Sequence, residues 1–110
     1  MLYTDANEFF ARAARTERLS REEERALGAE MQAGDEAARH ALVDGYLPVL
    51  AALLSRYESR PSLQLVYMGI KTLEDAVSAF DFQTEDPTFT RFLGDRVRRM
   101  MTRYVADSPK

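Results

Sequence analysis

The chain has 110 residues, 45% of them hydrophobic, a formal net charge of −3 and no cysteine. Those figures describe one ordinary globular domain with a modest core, and they exclude a disulfide scaffold or a thiolate metal centre. Leu47–Leu54, the longest mainly apolar run, is too short to cross a bilayer, and the N-terminus carries no signal-peptide apolar segment, so a cytoplasmic location is expected.

Periodicity gives five helices and no strand, an all-α single-domain bundle. The first helix is expected over 5–15, with Phe9, Phe10 and Ala13 as a short apolar stripe. The second, over 20–33, opens on a Ser-x-x-Glu capping box in which Ser20 caps the helix and Glu23 reaches back. Glu22, Glu23 and Glu24 put negative charge in its first turn, where the helix dipole favours it, and Leu27 and Met31 are its anchors. Gly34 supplies a left-handed stop, and Asp35 caps the next helix at once.

That third helix is expected over 35–57, on a stripe of Ala38, Leu42, Val49, Leu53 and Tyr57 widened by Leu50 and Leu54. Pro48 removes one backbone hydrogen bond and meets the carbonyl of Asp44, so a kink is expected there, with a complete break as the alternative. Residues 59–62 form a loop whose proline can start the fourth helix, 62–80, with a stripe of Leu63, Val66, Ile70, Leu73, Val77 and Phe80. A polar loop from Asp81 to Pro87 leads to Thr88, the expected cap of the fifth helix over 88–106. There Phe89, Phe92, Leu93, Val97, Met100, Met101, Tyr104 and Val105 recur at three-and-four spacing, and Asp107 begins a frayed end.

Charge is uneven along this series. Residues 1–87 hold 9 Lys and Arg against 16 Asp and Glu, whereas residues 88–110 hold 6 against 2. A basic last helix on an acidic body points either to an anionic partner or to a solvated arginine-rich face. Catalytic signatures are missing: there is no glycine-rich phosphate loop, no nucleophile elbow and no His-Glu-x-x-His pair. His40, the single histidine, stands among alanines with no cysteine or second histidine to share a metal. No enzyme activity, cofactor or metal is expected.

The strings Leu19-Ser-Arg-Glu-Glu-Glu-Arg25, Gly34-Asp-Glu-Ala-Ala38, Leu42-Val-Asp-Gly-Tyr-Leu47 and Ser55-Arg-Tyr57 follow one another in fixed order. Together they resemble the end of region 1 and the start of region 2 of bacterial RNA polymerase sigma factors of the sigma-70 family. Downstream, Ala76-Val-Ser-Ala-Phe-Asp81 is similar to the family's Ala-Val-Glu-Lys-Phe-Asp, and Phe89-Thr-Arg-Phe92 to its Phe-Ser-Thr-Tyr. The resemblance covers most of the chain and implies the helical fold of sigma domain 2.

It also implies where partners would bind. The family's Asp-Leu-Ile-Gln-Glu-Gly-Asn segment, which docks on the polymerase clamp coiled coil, reads here as Gln64-Leu-Val-Tyr-Met-Gly-Ile70. Gly69 and the apolar spacers remain, while the polar contact positions have become Gln64, Tyr67 and Met68. A helical wheel with Leu63, Val66, Ile70, Leu73 and Val77 buried turns Met68 outward, flanked by Leu65, Gln64, Lys71 and Asp75 with Tyr67 at the boundary, as a candidate contact patch. At the DNA end the family's paired tryptophans align with Asp95 and Arg96, and the chain has no tryptophan. Base capture needs exposed rings, so strand opening in the family's manner is not expected. Arg98 aligns with a family arginine, and Arg91, Arg96, Arg99 and Arg103 add positive charge for phosphate contact. The segment has no counterpart of the family's C-terminal promoter-reading domains.

Three readings follow. The first is a stand-alone sigma domain 2-like factor that binds RNA polymerase or another sigma or regulatory protein. The second is a helical interaction module, self-associating through Leu65 and Met68, that kept the fold and left transcription. The third is a DNA-binding protein using the arginines of the last helix.

Overall fold

A computed structural model describes residues 3–107, with the side chain of Asp107 excluded. Six helices follow one another: α1 (Ala6–Arg15), α2 (Arg21–Gln32), α3 (Glu36–Gly45), α4 (Leu47–Tyr57), α5 (Leu63–Ala79) and α6 (Phe89–Asp107). The described residues contain no strand. Helix starts sit where capping chemistry puts them. Asp5 accepts from the Glu8 N–H, Ser20 and Glu23 form a complete capping box, Asp35 accepts from the N–H groups of Ala37 and Ala38, and Ser62 accepts from Leu65. Gly34 takes a φ of 100°, the left-handed conformation that separates α2 from α3. The frayed end expected from Asp107 lies outside the described residues, except that Asp107 itself closes α6.

The expected single helix over 35–57 is two helices, whose axes meet at 45°. The break falls at Tyr46, which serves at once as C-cap of α3 and N-cap of α4. Pro48 then occupies the first turn of α4, where a missing N–H costs nothing. The proline ends one helix and starts the next, so a full break replaces a kink. Gly45 permits the close passage this corner requires, because a Cβ there would stand 2.6 Å from the Leu19 side chain.

The core is built from Phe9, Leu42, Leu47, Leu50, Leu54, Val66, Leu73, Val77, Leu93 and Val97, all at or below 1% exposure. α5 packs most extensively on α6, α4 contacts both, and α1 packs on α4 and α5. At about 25 cal/mol per Å² of apolar surface removed from water, this single cluster dominates the stabilisation. Phe80, Phe82, Phe89 and Phe92 form an aromatic cluster with ring centroids 5.1–6.2 Å apart, and Tyr46 joins it at 4.5 Å from Phe89.

α2 is the outlier. Among the helices it packs only on α3, and its other support comes from Tyr46 at the α3–α4 corner and from the loop 81–87. Arg21 donates to the Thr84 carbonyl at 2.8 Å, Arg25 pairs with Glu85 at 3.1 Å, and the Gln83 amide donates to the Arg25 carbonyl at 2.9 Å. Beneath them Phe82 packs directly on Gly28. Among the described residues no single helix is long and apolar enough to cross a membrane.

Candidate interaction groove between α5 and α6

The register of α5 decides which side chains reach the surface. The wheel drawn on Leu63, Val66, Ile70, Leu73 and Val77 is rotated by roughly 60°, which keeps Val66, Leu73 and Val77 inside and turns Leu63 and Ile70 toward the edge. The buried line is Leu65, Val66, Gly69, Leu73, Ala76 and Val77, while Leu63 and Ile70 are half-buried. Leu65, expected on the outward patch, is 0% exposed and belongs to the core. Its neighbour Gly69 explains the choice. A Cβ at that position would stand 3.1 Å from a Leu54 methyl and 3.3 Å from a Leu50 methyl, so glycine lets α4 close on this face of α5. A segment with apolar residues at 63, 65, 66, 67, 68 and 70 offers two overlapping stripes, and the close approach selects one.

With that register, Met68 is half-buried and Gln64, Lys71 and Asp75 point to solvent. They line an open groove whose opposite wall is α6, formed by Arg96, Arg99, Met100 and Arg103. The tertiary fold therefore brings five of the six expected partner-binding residues, Gln64, Tyr67, Met68, Lys71 and Asp75, together with three of the five expected anion-binding arginines. Arg91 and Arg98 do not line it. Arg98 instead pairs with Asp95 at 3.5 Å, and Arg91 follows the Thr88 cap at the start of α6.

Several groove residues are held by their neighbours. Thr72 donates to the Met68 carbonyl at 2.9 Å, so the hydroxyl on the floor is already satisfied. Lys71 and Asp75 form an i,i+4 ion pair at 3.2 Å. The Arg96 guanidinium lies 4.5 Å over the Phe92 ring. None of the described side chains forms an ion pair with Arg96, Arg99 or Arg103. At one end the Tyr67 hydroxyl accepts from the Tyr3 N–H at 2.6 Å and donates to the Tyr3 carbonyl at 3.1 Å. That tyrosine holds the chain before α1 and is a wall of the groove, with its hydroxyl already engaged.

Two groove residues were missed from sequence, Thr72 and Met100. Met100 was placed on the core stripe of the last helix, yet it is half-buried, and Val105 of the same stripe is 57% exposed. The available signal was spacing: Met100 follows Arg96 by four, as Thr72 follows Met68. The aromatic positions of α6 behave otherwise than a base-capturing surface requires. Phe89 is 1% exposed, and one face of Phe92 is covered by Arg96. His40 is exposed on α3, beside Arg39 at 3.1 Å. No group of three His, Cys, Asp or Glu among the described residues is placed to hold a metal ion. No protein-family model matches the chain, and no curated protein matches it.

Proposed function

We propose that this chain is a sigma domain 2-like factor that acts in transcription by binding RNA polymerase or a sigma or regulatory protein. The observation that carries the reading is the ordered string series from Leu19 to Phe92. Its Ser20 and Asp35 are the N-caps of α2 and α3, and its docking segment supplies one wall of an exposed groove. Strand opening in the family's manner is not part of the proposal. The tryptophan positions are Asp95 and Arg96, and Phe89 is enclosed by Tyr46, Phe80 and Phe82. A cytoplasmic location goes with this reading.

The test is retention of core polymerase and of purified sigma factors on immobilised protein at micromolar concentration. Retention that weakens in Gln64→Ala with Met68→Glu supports the proposal, and absence of retention overturns it. A DNA-binding reading is favoured by one observation, the line of Arg96, Arg99 and Arg103 along one face of α6. It requires affinity that falls steeply with salt and is indifferent to sequence. The self-associating reading loses its main apolar residue, since Leu65 is in the core.

A further inference from the structure

From the groove between α5 and α6 we infer a docking site for an acidic amphipathic helix, carried by a protein partner. Its floor is Met68, Thr72 and Met100, and its rim is Arg96, Arg99 and Arg103 on α6 with Lys71 on α5. The methionine thioethers are flexible and polarisable, and they suit an apolar side chain of variable shape. The arginines stand at i, i+3 and i+7, two turns of helix and about 10 Å along the groove wall. Lys71 is neutralised by Asp75, which leaves the three arginines as the uncompensated charge.

An occupant matching this surface presents a short apolar stripe to the methionines and carboxylates on the flank facing α6. A helix with leucines at three-and-four spacing and glutamates beside them meets both demands. Nucleic acid meets only one. The groove is lined by one aromatic residue, Tyr67, whose hydroxyl is engaged by the Tyr3 backbone, so it offers a nucleic-acid chain no series of rings on which bases stack. A floor of thioethers offers phosphate nothing, whereas it removes leucine from water. The arginine rim calls for an anionic partner, and the methionine floor selects an acidic amphipathic helix among anions.

The inference rests on the reading above only in taking the partner to be a protein. The probe is a fluorescein-labelled, end-capped peptide of about 15 residues, long enough for appreciable helix, with leucines at i, i+4 and i+7 and glutamates flanking them. Anisotropy titration against the full chain is expected to give saturable binding that weakens with salt. Arg99→Glu with Arg103→Glu should weaken it by roughly tenfold or more. Met68→Glu should weaken it as well, and Arg91→Glu with Arg98→Glu, off the groove, should leave it nearly unchanged. A peptide with lysine for glutamate should prefer the Arg99→Glu, Arg103→Glu variant over the parent. All these positions are exposed or half-buried, and far-UV circular dichroism with thermal melting checks that each variant folds.

No saturable binding at millimolar peptide overturns the inference. So does equal weakening by the off-groove pair, or tighter binding of a duplex or single-stranded oligonucleotide with the same arginine dependence. Self-association of the parent chain through the same arginines overturns it too. Peptide binding without retention of polymerase or sigma factors leaves the groove assignment standing and removes the transcription reading. Polymerase retention indifferent to the groove variants does the reverse.

Discussion

The Tyr46 hydroxyl donates to the Glu24 carboxylate at 2.6 Å, tying α2 to the corner at which α3 ends and α4 begins. Tyr46 is buried, and burial, reinforced by the adjacent Glu24, raises its pKa well above the usual tyrosine value. The folded state therefore holds this proton more tightly than the unfolded chain does. Stability from it is fully present below the unfolded tyrosine pKa of about 10 and falls as pH rises beyond it. Tyr46→Phe should cost about 1–2 kcal/mol at neutral pH, since it leaves a half-buried carboxylate without its donor. It should also flatten the decline above pH 10. Urea unfolding followed by circular dichroism at neutral and alkaline pH measures both, and an unchanged alkaline slope would remove Tyr46 as its source.

Two glycines in helices make opposite predictions. Gly28 lies under Phe82, and a Cβ there would stand 2.6 Å from the Phe82 Cβ, an atom fixed close to the backbone. Gly28→Ala is therefore expected to destabilise the protein by about 1–3 kcal/mol, overriding alanine's better helix propensity. Gly94 in α6 has open space where a Cβ would go. Gly94→Ala should stabilise by about 0.5–1 kcal/mol. Thermal melts of the two variants beside the parent decide the matter, and a shift of the same sign in both would contradict it.

The start of α2 is sensitive to acid. The Ser20 N–H donates to Glu23 Oε1 at 2.9 Å and, with the Ser20 hydroxyl, holds the Glu23 carboxyl below its usual range. A depressed folded pKa gives stability that is present above the unfolded glutamate value of about 4.3 and is lost as pH falls through the folded one. Glu23→Gln should thus reduce the acid sensitivity of the melting temperature between neutral pH and pH 3. Ser20→Ala removes the acceptor for the Glu23 N–H at 3.1 Å and should cost about 1 kcal/mol at neutral pH.

The register of α5 is open to a direct comparison. Leu65→Ala empties a fully buried site and should cost about 2–5 kcal/mol, as large-to-small changes in packed cores do. Met68→Ala, three positions on at the groove floor, should cost under about 1 kcal/mol because solvent already reaches it. Equal losses in the two variants would place Met68 in the core and close the groove.

Local chemistry was readable along the chain. Ser20 with Glu23, Gly34, Asp35 and Thr88 set helix starts and stops within a residue or two, because caps and left-handed glycines act on neighbouring backbone groups. The apolar spacing of α6 likewise placed Phe89, Leu93, Val97 and Met101 inside. The break at Tyr46 was readable only as an alternative. Pro48 is compatible with a kink or with a first turn, and the corner closes because Gly45 accepts Leu19 against it. Leu65 was assigned to the wrong side because a helix with apolar residues at adjacent positions has two stripes of nearly equal quality, and periodicity does not rank them.

By itself, then, the amino-acid order determined that this protein is helical, where most of its helices begin and end, and that its positive charge collects on the last of them. Only the tertiary structure decided which face of α5 is buried and that Gln64, Met68 and Lys71 of α5 share one groove with the α6 arginines. Capping and periodicity depend on residues within a turn or two of each other. Register between packed helices depends on close approaches such as Gly69 against Leu50 and Leu54, between residues far apart in the chain.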